Sequence, residues 1–420
     1  MEPGIKACRG KRRDQRKRAL FHAISISISI CRNPGAKTIE SDLFEGLCRA
    51  GLVSEENSVD PKKIGWMRSC RTDKGVHAAG QVVSFKMLMK HGSDTDKSKI
   101  PVIIDELNSV LQNDMGIGKK MEIFGIIKTA SSFHAKDRAD SRYYEYLLPT
   151  FVFTRQSREE FLKLAEASST RSDVGGQPGT NDKTNKKEKN EDSDSEVEDD
   201  EEEMPALKPV QLEPEEMKKI SEYRVSDEDL VRFNRILEFY CGTRNFHNFT
   251  IKKGPKDASA QRHIKTFQAG RPFIVKAEKE SDGELEWVAV RVHGLSFMMH
   301  QIRKMIGLAI LAVRLDAYEP EHLTALFNKL FNSGAKYNVP KAPALGLFLD
   351  HPVFEGYNRK FGKEEGRELM DFEPLEERRT AFKNAIIYPE IFTGEFKTRE
   401  FYNWLKCIDD HAYDFKYILE

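Results

Sequence analysis

The sequence predicts an α+β protein made of two similar domains, each an antiparallel or mixed sheet flanked by helices. Helical and strand periodicities are mixed within each of two blocks, residues 33–165 and 217–355. Short turn signals join successive strand patterns, which favours antiparallel pairing. Between the blocks, residues 166–216 have no aromatic and few β-branched side chains and carry their charge in runs. That composition predicts a disordered acidic insert.

The first block opens with a predicted helix over KTIESDLFEGLCRAGL. Ile39, Leu43 and Leu47 recur there at helical spacing, and Thr38 is placed to cap the N-terminus. Three later segments alternate in the manner of strands, namely QVVSFKM, MEIFGIIKT and RYYEYLLP. A second helix is predicted over PVIIDELNSVL, so this block contains both kinds of element.

The second block begins with a predicted helix over DEDLVRFNRILEFYCG. Two strands follow around a DG turn, RPFIVKAEKE and EWVAVRVHG, and then a long amphipathic helix over SFMMHQIRKMIGLAILAV. From residue 356 to 420 the chain becomes charged and helical, as in EPLEERRTAFKNAI and REFYNWLKCIDD. We expect this C-terminal extension to form an outer helical layer rather than a third core.

Residues 1–32 form an atypical basic N-terminus, in which the basic run CRGKRRDQRKR precedes the apolar run ALFHAISISISIC. The strict alternation of ISISISI predicts an edge strand preceded by a basic arm, although a secretory signal has the same order of charge and apolar residues. The apolar run is too short to span a bilayer, so we expect no membrane association.

The charge of the chain is unevenly distributed. Residues 168–216 contain six basic and sixteen acidic residues, a net charge of −10, and because the whole chain is neutral the remainder carries +10. A phosphate-binding protein presents such a basic body, although scattered surface lysines give the same total. The six cysteines include no C-x-x-C pair, which argues against a zinc knuckle or a disulfide framework and fits a reducing, intracellular compartment.

The first candidate catalytic residue is Asp73, in the stretch RTDKGVHAAGQVVSF. It lies between Arg71 and Lys74 on a predicted turn closed by Gly75. Two neighbouring cations favour the ionised carboxylate and lower its pKa, so the group suits a nucleophile or base better than a proton donor. The alternative is an ordinary turn aspartate that makes local hydrogen bonds.

The second candidate is Tyr144, which lies in a predicted strand between Arg142 and Tyr146. An aromatic ring at a strand edge can stack on a nucleobase that is single-stranded or extruded from a helix. More commonly such a tyrosine is part of the core, because aromatic residues favour strands.

The third candidate is Arg303, which shares one strip of its predicted helix with Ser296, His300 and Gly307. From there it could reach a carboxylate or a phosphate, although an arginine usually lays its stem on the core and keeps its head in water. His77 and His300 lack metal-ligand spacing and are interpreted as structural residues. The segment KAPALGLFLDHPVF, which contains Leu347, is by itself an ordinary entry from a loop into a strand.

Five segments together resemble the TruA-type tRNA pseudouridine synthases, in their eukaryotic branch. The most specific is RTDKGVHAAGQV, which is similar to the active-site loop of that family. The others follow in the family's order, namely FHAKDRADSRYYEY, GTRNFHNFT, SFMMHQIRKMIG and APALGLFLDHPV. The resemblance runs from about Asn33 to Phe354, with the acidic insert as an interruption.

The resemblance implies a reaction that needs only one carboxylate. The bond from N1 of uracil to C1′ of the ribose is broken, the base turns in its pocket, and C5 is joined to C1′. By this resemblance Asp73 is the catalytic aspartate, which either attacks C1′ or removes the C2′ proton. Arg303 would pair with Asp73, and Arg71 would hold the flipped nucleotide through a phosphate.

By the same resemblance Tyr144 would stack on the base and later accept the proton from C5, while Leu347 would cover the other face of the uracil. No cofactor and no metal are implied.

A central basic cleft between two α+β domains, with tRNA as the bound partner, is also implied, and the +10 charge agrees with it. Small nuclear and messenger RNA are further candidate substrates. The eukaryotic branch and the basic run indicate the nucleus, with the mitochondrion as a second compartment. The sequence does not predict an oligomeric state.

The chain departs from the family at its start. The family opens with a strand and a glycine loop of the form Y-x-G-T-x-Y-x-G-M-Q, where this chain has LFHAISISISIC. A non-catalytic RNA-binding protein of the same fold is therefore the alternative function. A glycosidase that releases the base would usually need a second carboxylate, which the motifs do not offer.

Overall fold

A computed structural model describes residues 38–73, 75–90, 97–172, 212–279, 283–332, 334–363 and 368–420, together with the backbone of 20–29. The chain divides into two compact units, each built from separated segments. The first unit comprises residues 1–71, 78–140 and 352–380, and the second comprises 72–77, 141–351 and 381–420. Each unit contains both helices and strands, and the predicted α+β class is confirmed.

The first unit is built on a sheet with helices packed against it. Its strands are β1 (Leu20–Ser29), β2 (Met67–Arg68), β3 (His77–Met87) and β4 (Glu122–Lys128). Its helices are α1 (Ile39–Arg49), α2 (Ile100–Ser109), α3 (Ala135–Arg138), α9 (Glu355–Phe361) and most of α10 (Glu376–Phe382). The strand order is β4-β1-β3, with β2 antiparallel to β3.

Helix α1 shows how the local sequence determines where a helix of this unit begins and which face it buries. Thr38 caps it as predicted, because its side chain accepts a hydrogen bond from the backbone N–H of Ser41. The apolar face of α1 presents Leu43 and Leu47 to a core that also contains Phe85 of β3. Burial of this face stabilises the helix far more than the intrinsic helical preference of its residues.

The segment predicted to be an edge strand is a strand, but its edge position was wrong. β1 pairs antiparallel with β4 and lies between β4 and β3. Alternation predicts that a segment is extended, but it does not report how many neighbours the strand has. Residues 1–19 and 30–37, which include the basic arm, lie outside the described residues.

The second unit carries a larger sheet. Its strands are β5 (Ser141–Pro149), β6 (Gly242–Asn245), β7 (Gln261–Ala269), β8 (Phe273–Lys276), β9 (Glu284–Gly294) and β10 (Leu347–Val353). Its helices are α4 (Arg158–Ser172), α5 (Pro214–Glu222), α6 (Asp227–Glu238), α7 (Gln301–Arg314), α8 (Pro320–Asn332), α11 (Tyr388–Thr398) and α12 (Glu400–Asp410). The strand order is β10-β5-β9-β7-β6, and β8 pairs with β9.

Aromatic side chains join α11 and α12 to this sheet, and an ion pair joins α12 to α7. Trp287 of β9 is fully buried and packs edge-on against Phe392 of α11 and Phe401 of α12. Arg314, at the end of α7, forms two bonds of 2.7 and 3.0 Å with the carboxylate of Asp409 in α12. These contacts make α11 and α12 part of the core of the second unit.

The predicted domain boundaries cut the chain at single points, whereas the compact units interleave. Helix α9 and most of α10 belong to the first unit, while α11 and α12 belong to the second. Helices α4 and α5 reach into the range predicted as a disordered insert, and its central part, residues 173–211, lies outside the described residues. Among the described helices, none has the length and apolar character needed to cross a membrane.

Glu395 of α11 is a carboxyl group in the interior of the second unit. Its Oε2 accepts a hydrogen bond of 3.0 Å from the backbone N–H of Phe401. Burial raises the pKa of Glu395 to about 8, and the bond from Phe401 and the charge of Arg399 oppose that rise only in part. The group is therefore protonated in the folded protein near neutral pH.

We predict that Glu395→Gln reduces the loss of stability with rising pH. A carboxyl group whose pKa is raised by folding stabilises the protein at low pH and loses that contribution as the pH rises toward about 8. The slope for one group is at most about 1.4 kcal/mol per pH unit. Urea unfolding at pH 5, 6.5 and 8 should show a flatter profile for the variant. Equal slopes for both proteins would contradict the prediction.

Candidate active site

The predicted turn at Asp73 is present. The backbone N–H of Val76 donates to the carbonyl of Asp73 at 3.1 Å, and Gly75 has φ of 80°. That value lies in the region that glycine adopts readily and other residues avoid, as the third position of a type II turn requires. The turn therefore fixes the direction in which the side chain of Asp73 points away from the backbone.

The chain enters this turn from a segment fixed by Gln81 of β3. The side-chain oxygen of Gln81 accepts from the hydroxyl of Ser69 at 2.6 Å and from the N–H of Cys70 at 3.2 Å, while its Nε2 donates to the carbonyl of Cys70 at 2.9 Å. All three residues are buried. A buried amide with its bonds satisfied in this way allows little movement of the backbone that leads to Asp73.

The carboxylate of Asp73 is held by His300, which directly precedes α7, and by Arg303 of α7. Its Oδ2 lies 3.0 Å from Nδ1 of His300 and 3.9 Å from Nη1 of Arg303. Burial by itself would raise the pKa of Asp73, but the hydrogen bond from His300 and the charges of His300, Arg303 and Lys341 outweigh it and lower the pKa. Asp73 is therefore ionised. Because 29% of its side chain is exposed, a ligand can reach it.

The predicted low pKa of Asp73 has a different cause from the one inferred from the sequence. The sequence attributed it to Arg71 and Lys74, whereas His300, Arg303 and Lys341 lower it in the structure. Lys74 lies outside the described residues, so its contribution to the pKa of Asp73 stays a prediction.

Helix α7 begins later than predicted, which is a correction to the sequence analysis. Its first residue is Gln301, so Ser296 does not lie on the helix. His300 precedes it with φ of 60°, in the left-handed region. The backbone N–H of Met298 donates to Oε1 of Gln301 at 2.9 Å, which fixes the segment before the helix. Helical periodicity could not reveal this break, because apolar residues continue on both sides of it.

Arg303 is oriented by a loop that packs against α7. Its Nε donates to the carbonyl of Ala342 at 2.7 Å, and the N–H of Ala342 donates to the carbonyl of Arg303 at 3.2 Å. A side chain at Gly307 would collide with the carbonyl of Pro340. Glycine therefore permits the close approach that turns the guanidinium of Arg303 toward Asp73, the partner that the sequence analysis assigned to it.

Tyr144 lies on β5 opposite Val292 of β9. Its ring packs edge-on against Phe297, with ring centres 5.2 Å apart, and 9% of the residue is exposed. Phe297 belongs to the segment that leads to His300, so Tyr144 is packed against the same segment that positions the histidine. The predicted stacking role of Tyr144 stays a prediction.

Leu347 is the first residue of β10 and is 6% exposed. The loop before it is fixed to β5 by two bonds of 2.8 Å, from the hydroxyl of Tyr146 to the carbonyl of Pro343 and from the N–H of Leu147 to the carbonyl of Gly346. The same loop therefore orients Arg303 and positions Leu347.

Arg71 is exposed and belongs to the first compact unit, so its predicted phosphate contact stays a prediction. His300 is the residue whose importance the sequence analysis missed, since it was interpreted as structural and yet bonds Asp73. Its signal was its position three residues before Arg303, the residue already predicted to pair with Asp73. Metal-ligand spacing alone was the wrong test for it.

Comparison with known proteins places this chain in a family. A family model described as tRNA pseudouridine synthase matches residues 236–355, a range that includes Arg303 and Leu347. tRNA pseudouridine synthase 1 of Yarrowia lipolytica is 35% identical over 91% of this chain and 72% of its own length. The chain belongs to the tRNA pseudouridine synthase family.

Two further relatives support this membership. tRNA pseudouridine synthase 1 of Schizosaccharomyces pombe is 32% identical over 92% of this chain and 82% of its own length. The human pseudouridylate synthase 1 homolog is 34% identical over 91% and 70%. The predicted family, its eukaryotic branch and the enzyme class, an RNA pseudouridine synthase, are confirmed, and the non-catalytic alternative is not favoured.

We predict that His300→Ala moves the acid limb of the synthase's pH profile to higher pH. Loss of the hydrogen bond and of the histidine charge removes two causes of the lowered pKa of Asp73, so protonation sets in earlier as the pH falls. At the pH optimum kcat should fall by roughly 10- to 100-fold, since the carboxylate is less well positioned.

Three proteins assayed for kcat/KM between pH 5 and 8 test this. His300→Gln retains a donor without the charge and should shift the limb less than His300→Ala. His134→Ala, at an exposed histidine of the first unit, should leave it in place. An unshifted limb in His300→Ala, with reduced kcat, would mean that the histidine does not set the ionisation of Asp73.

We predict that Gly307→Ala lowers both stability and turnover. The added methyl group meets backbone rather than a flexible side chain, so the loop at Pro340 must move and the bond between Arg303 and Ala342 lengthens. Such overpacking costs about 1–3 kcal/mol. Thermal unfolding and kcat measure the two effects. Gly125→Ala, where an added methyl group meets none of the described side chains within 4 Å, is the control, and equal behaviour of the two variants would refute the argument.

Proposed function

We propose that this enzyme isomerises specific uridines in tRNA to pseudouridine and uses Asp73 as its single catalytic carboxylate. The observation that carries the proposal is the carboxylate itself, fixed on a tight turn, bonded to His300 and 3.9 Å from Arg303. Family membership supplies the reaction class, and the names of the relatives support tRNA as the substrate.

The reaction needs no co-reactant, and its atoms balance within one nucleotide. The bond between N1 and C1′ breaks with its electron pair on the base, the base turns, and C5 forms the new bond to C1′. C5 then gives up its hydrogen as a proton, and N1 ends with a proton. Because nothing is added to C1′ from solvent, no activated water and no second carboxylate are required.

The state of Asp73 decides which chemistry it can perform. Its lowered pKa keeps the group ionised at neutral pH, so it can attack C1′ or remove the C2′ proton, and it cannot serve as a general acid for a leaving base. Both routes begin with the same carboxylate and are not distinguished by its geometry. A glycosidase, by contrast, commonly depends on a carboxyl group whose pKa is raised.

The remaining residues are assigned supporting roles. Arg303 holds Asp73 ionised, Tyr144 stacks on the uracil and accepts the proton from C5, and Leu347 covers the opposite face of the base. Two observations support the roles of Tyr144 and Leu347. Both residues are nearly buried, and both lie on segments that are bonded or packed to the segments of His300 and Arg303. Arg71 contacts the phosphate of the flipped nucleotide.

The wider assignments rest on charge and on the family. A basic cleft that binds RNA by its backbone agrees with the +10 carried outside residues 168–216. Small nuclear and messenger RNA are proposed as additional substrates, and the nucleus, with the mitochondrion as a second site, as the place of action.

We predict that Asp73→Asn binds tRNA with an affinity close to that of the natural chain and lowers product formation at least roughly 10³-fold. The amide keeps the shape of the carboxylate but cannot attack C1′ or accept a proton. Release of tritium from a tRNA transcript with C5-tritiated uridine measures the reaction, because C5 must lose its hydrogen. Filter binding on the same preparations measures affinity.

Asp105→Asn, at an exposed aspartate on α2, is the control and should release tritium at the natural rate. Free uracil in the mixture would identify a glycosidase instead. Binding without release by the natural chain would favour a non-catalytic RNA-binding protein. Full release by Asp73→Asn would remove that aspartate from the mechanism.

A further inference from the structure

A lysine-rich loop lies beside α7, the helix that carries Arg303, and the assigned mechanism does not use this loop. We call residues 250–257, TIKKGPKD, the basic loop. Lys253 forms an ion pair of 3.0 Å with Asp257, the one acidic residue of the loop. Lys252 and Lys256 are exposed, and within the described part of the chain no ion pair joins either of them to an acidic side chain.

The ammonium group of Lys336 fixes the basic loop from one side. It donates to the carbonyls of His247 at 2.6 Å, Thr250 at 3.3 Å and Lys253 at 3.4 Å. Loss of water around the group lowers the pKa of Lys336. From the other side, Nδ2 of Asn245 donates to the carbonyl of Pro255 at 2.7 Å. A surface loop with this many backbone carbonyls satisfied has little conformational freedom.

The basic loop is bonded directly to the segment that positions the catalytic carboxylate. The hydroxyl of Thr250 donates to the carbonyl of Met299 at 3.0 Å, and the next residue, His300, bonds Asp73. Lys252 and His300 have φ of 53° and 60°. Each such backbone costs of order 1 kcal/mol and persists only where surrounding contacts enforce it, a pattern that is common at functional sites.

We propose that the basic loop binds the phosphate backbone of the RNA next to the uridine that is isomerised, through Lys252 and Lys256, and that Lys336 is the residue that holds the loop in place. This inference rests on the proposed function. Lysine ammonium groups are point charges suited to phosphate oxygens, and they position a nucleic acid without reading its bases. The rigid link to Met299 gives this contact a fixed distance from the catalytic turn.

The first test is the double variant Lys252→Gln with Lys256→Gln, measured for tRNA binding between 50 and 200 mM salt. Each phosphate contact contributes about 0.7–0.9 to the slope of log K against log salt. Loss of two contacts should therefore flatten the slope by about 1.5 and raise KM, while kcat at saturating tRNA stays close to that of the natural chain. An unchanged slope would overturn the proposal.

The control is Lys218→Gln with Lys219→Gln, which removes the same charge from exposed lysines of α5 that face Glu222 and Glu215 on their own helix. Its salt slope should equal that of the natural chain. If the control flattens the slope as much as the loop variant, net charge and not the basic loop governs binding, and the proposal fails.

The second test is Lys336→Met, which releases the loop but leaves both phosphate-binding lysines in the sequence. It should raise KM and flatten the salt slope because Lys252 and Lys256 are no longer held together, and Lys336→Arg should restore part of both. Thermal unfolding verifies that the variants are folded. A flattened slope in the lysine double variant together with an unchanged slope in a folded Lys336→Met would overturn the role of Lys336.

The outcomes separate this inference from the proposed function. If the natural chain releases no tritium from C5-labelled tRNA, the isomerase proposal fails, while the salt slopes still decide whether the basic loop binds RNA. If tritium is released and the slopes of the loop variant and its control agree, the RNA-binding role of the basic loop is excluded and the isomerase proposal stands.

Discussion

The hydrogen bond between His300 and Asp73 is the interaction on which the candidate site depends. Burial removes water from a carboxylate and so raises its pKa, whereas the enzyme needs Asp73 ionised. The 3.0 Å bond, with Arg303 and Lys341 nearby, reverses the effect of burial. Without these groups burial alone would raise the pKa of Asp73, and less of the carboxylate would be ionised at a given pH.

The elements around Asp73 are arranged so that this bond can form. His300 adopts a left-handed backbone, which ends the preceding segment and lets α7 begin at the next residue. Arg303 then follows within one turn, and Gly307 lets the loop at Pro340 approach closely enough to orient its guanidinium. A larger residue at Gly307 or a continuous helix through His300 would each separate the cations from Asp73.

Much of the fold and part of the site could be predicted from sequence, and the failures have a common physical origin. Periodicity identified α1, α6 and β5, because burial of one face leaves a repeating pattern. Periodicity reports only faces and never partners. It therefore misplaced β1 at a sheet edge and extended α7 back to Ser296, and His300 was interpreted as a structural residue. The motif resemblance supplied Asp73 and Arg303 together, because it relates residues that are distant along the chain.

Helices α11 and α12 are part of the second compact unit, which also contains Asp73 and Arg303. Trp287 of β9 packs against aromatic residues of α11 and α12. Glu400, the first residue of α12, interacts electrostatically with Arg303 of the site. Burial raises the pKa of Glu400 at the start of α12, and the charge of Arg303 opposes that rise just as it lowers the pKa of Asp73. One guanidinium thus favours the ionised form of two carboxyl groups, Asp73 on its turn and Glu400 at the start of α12.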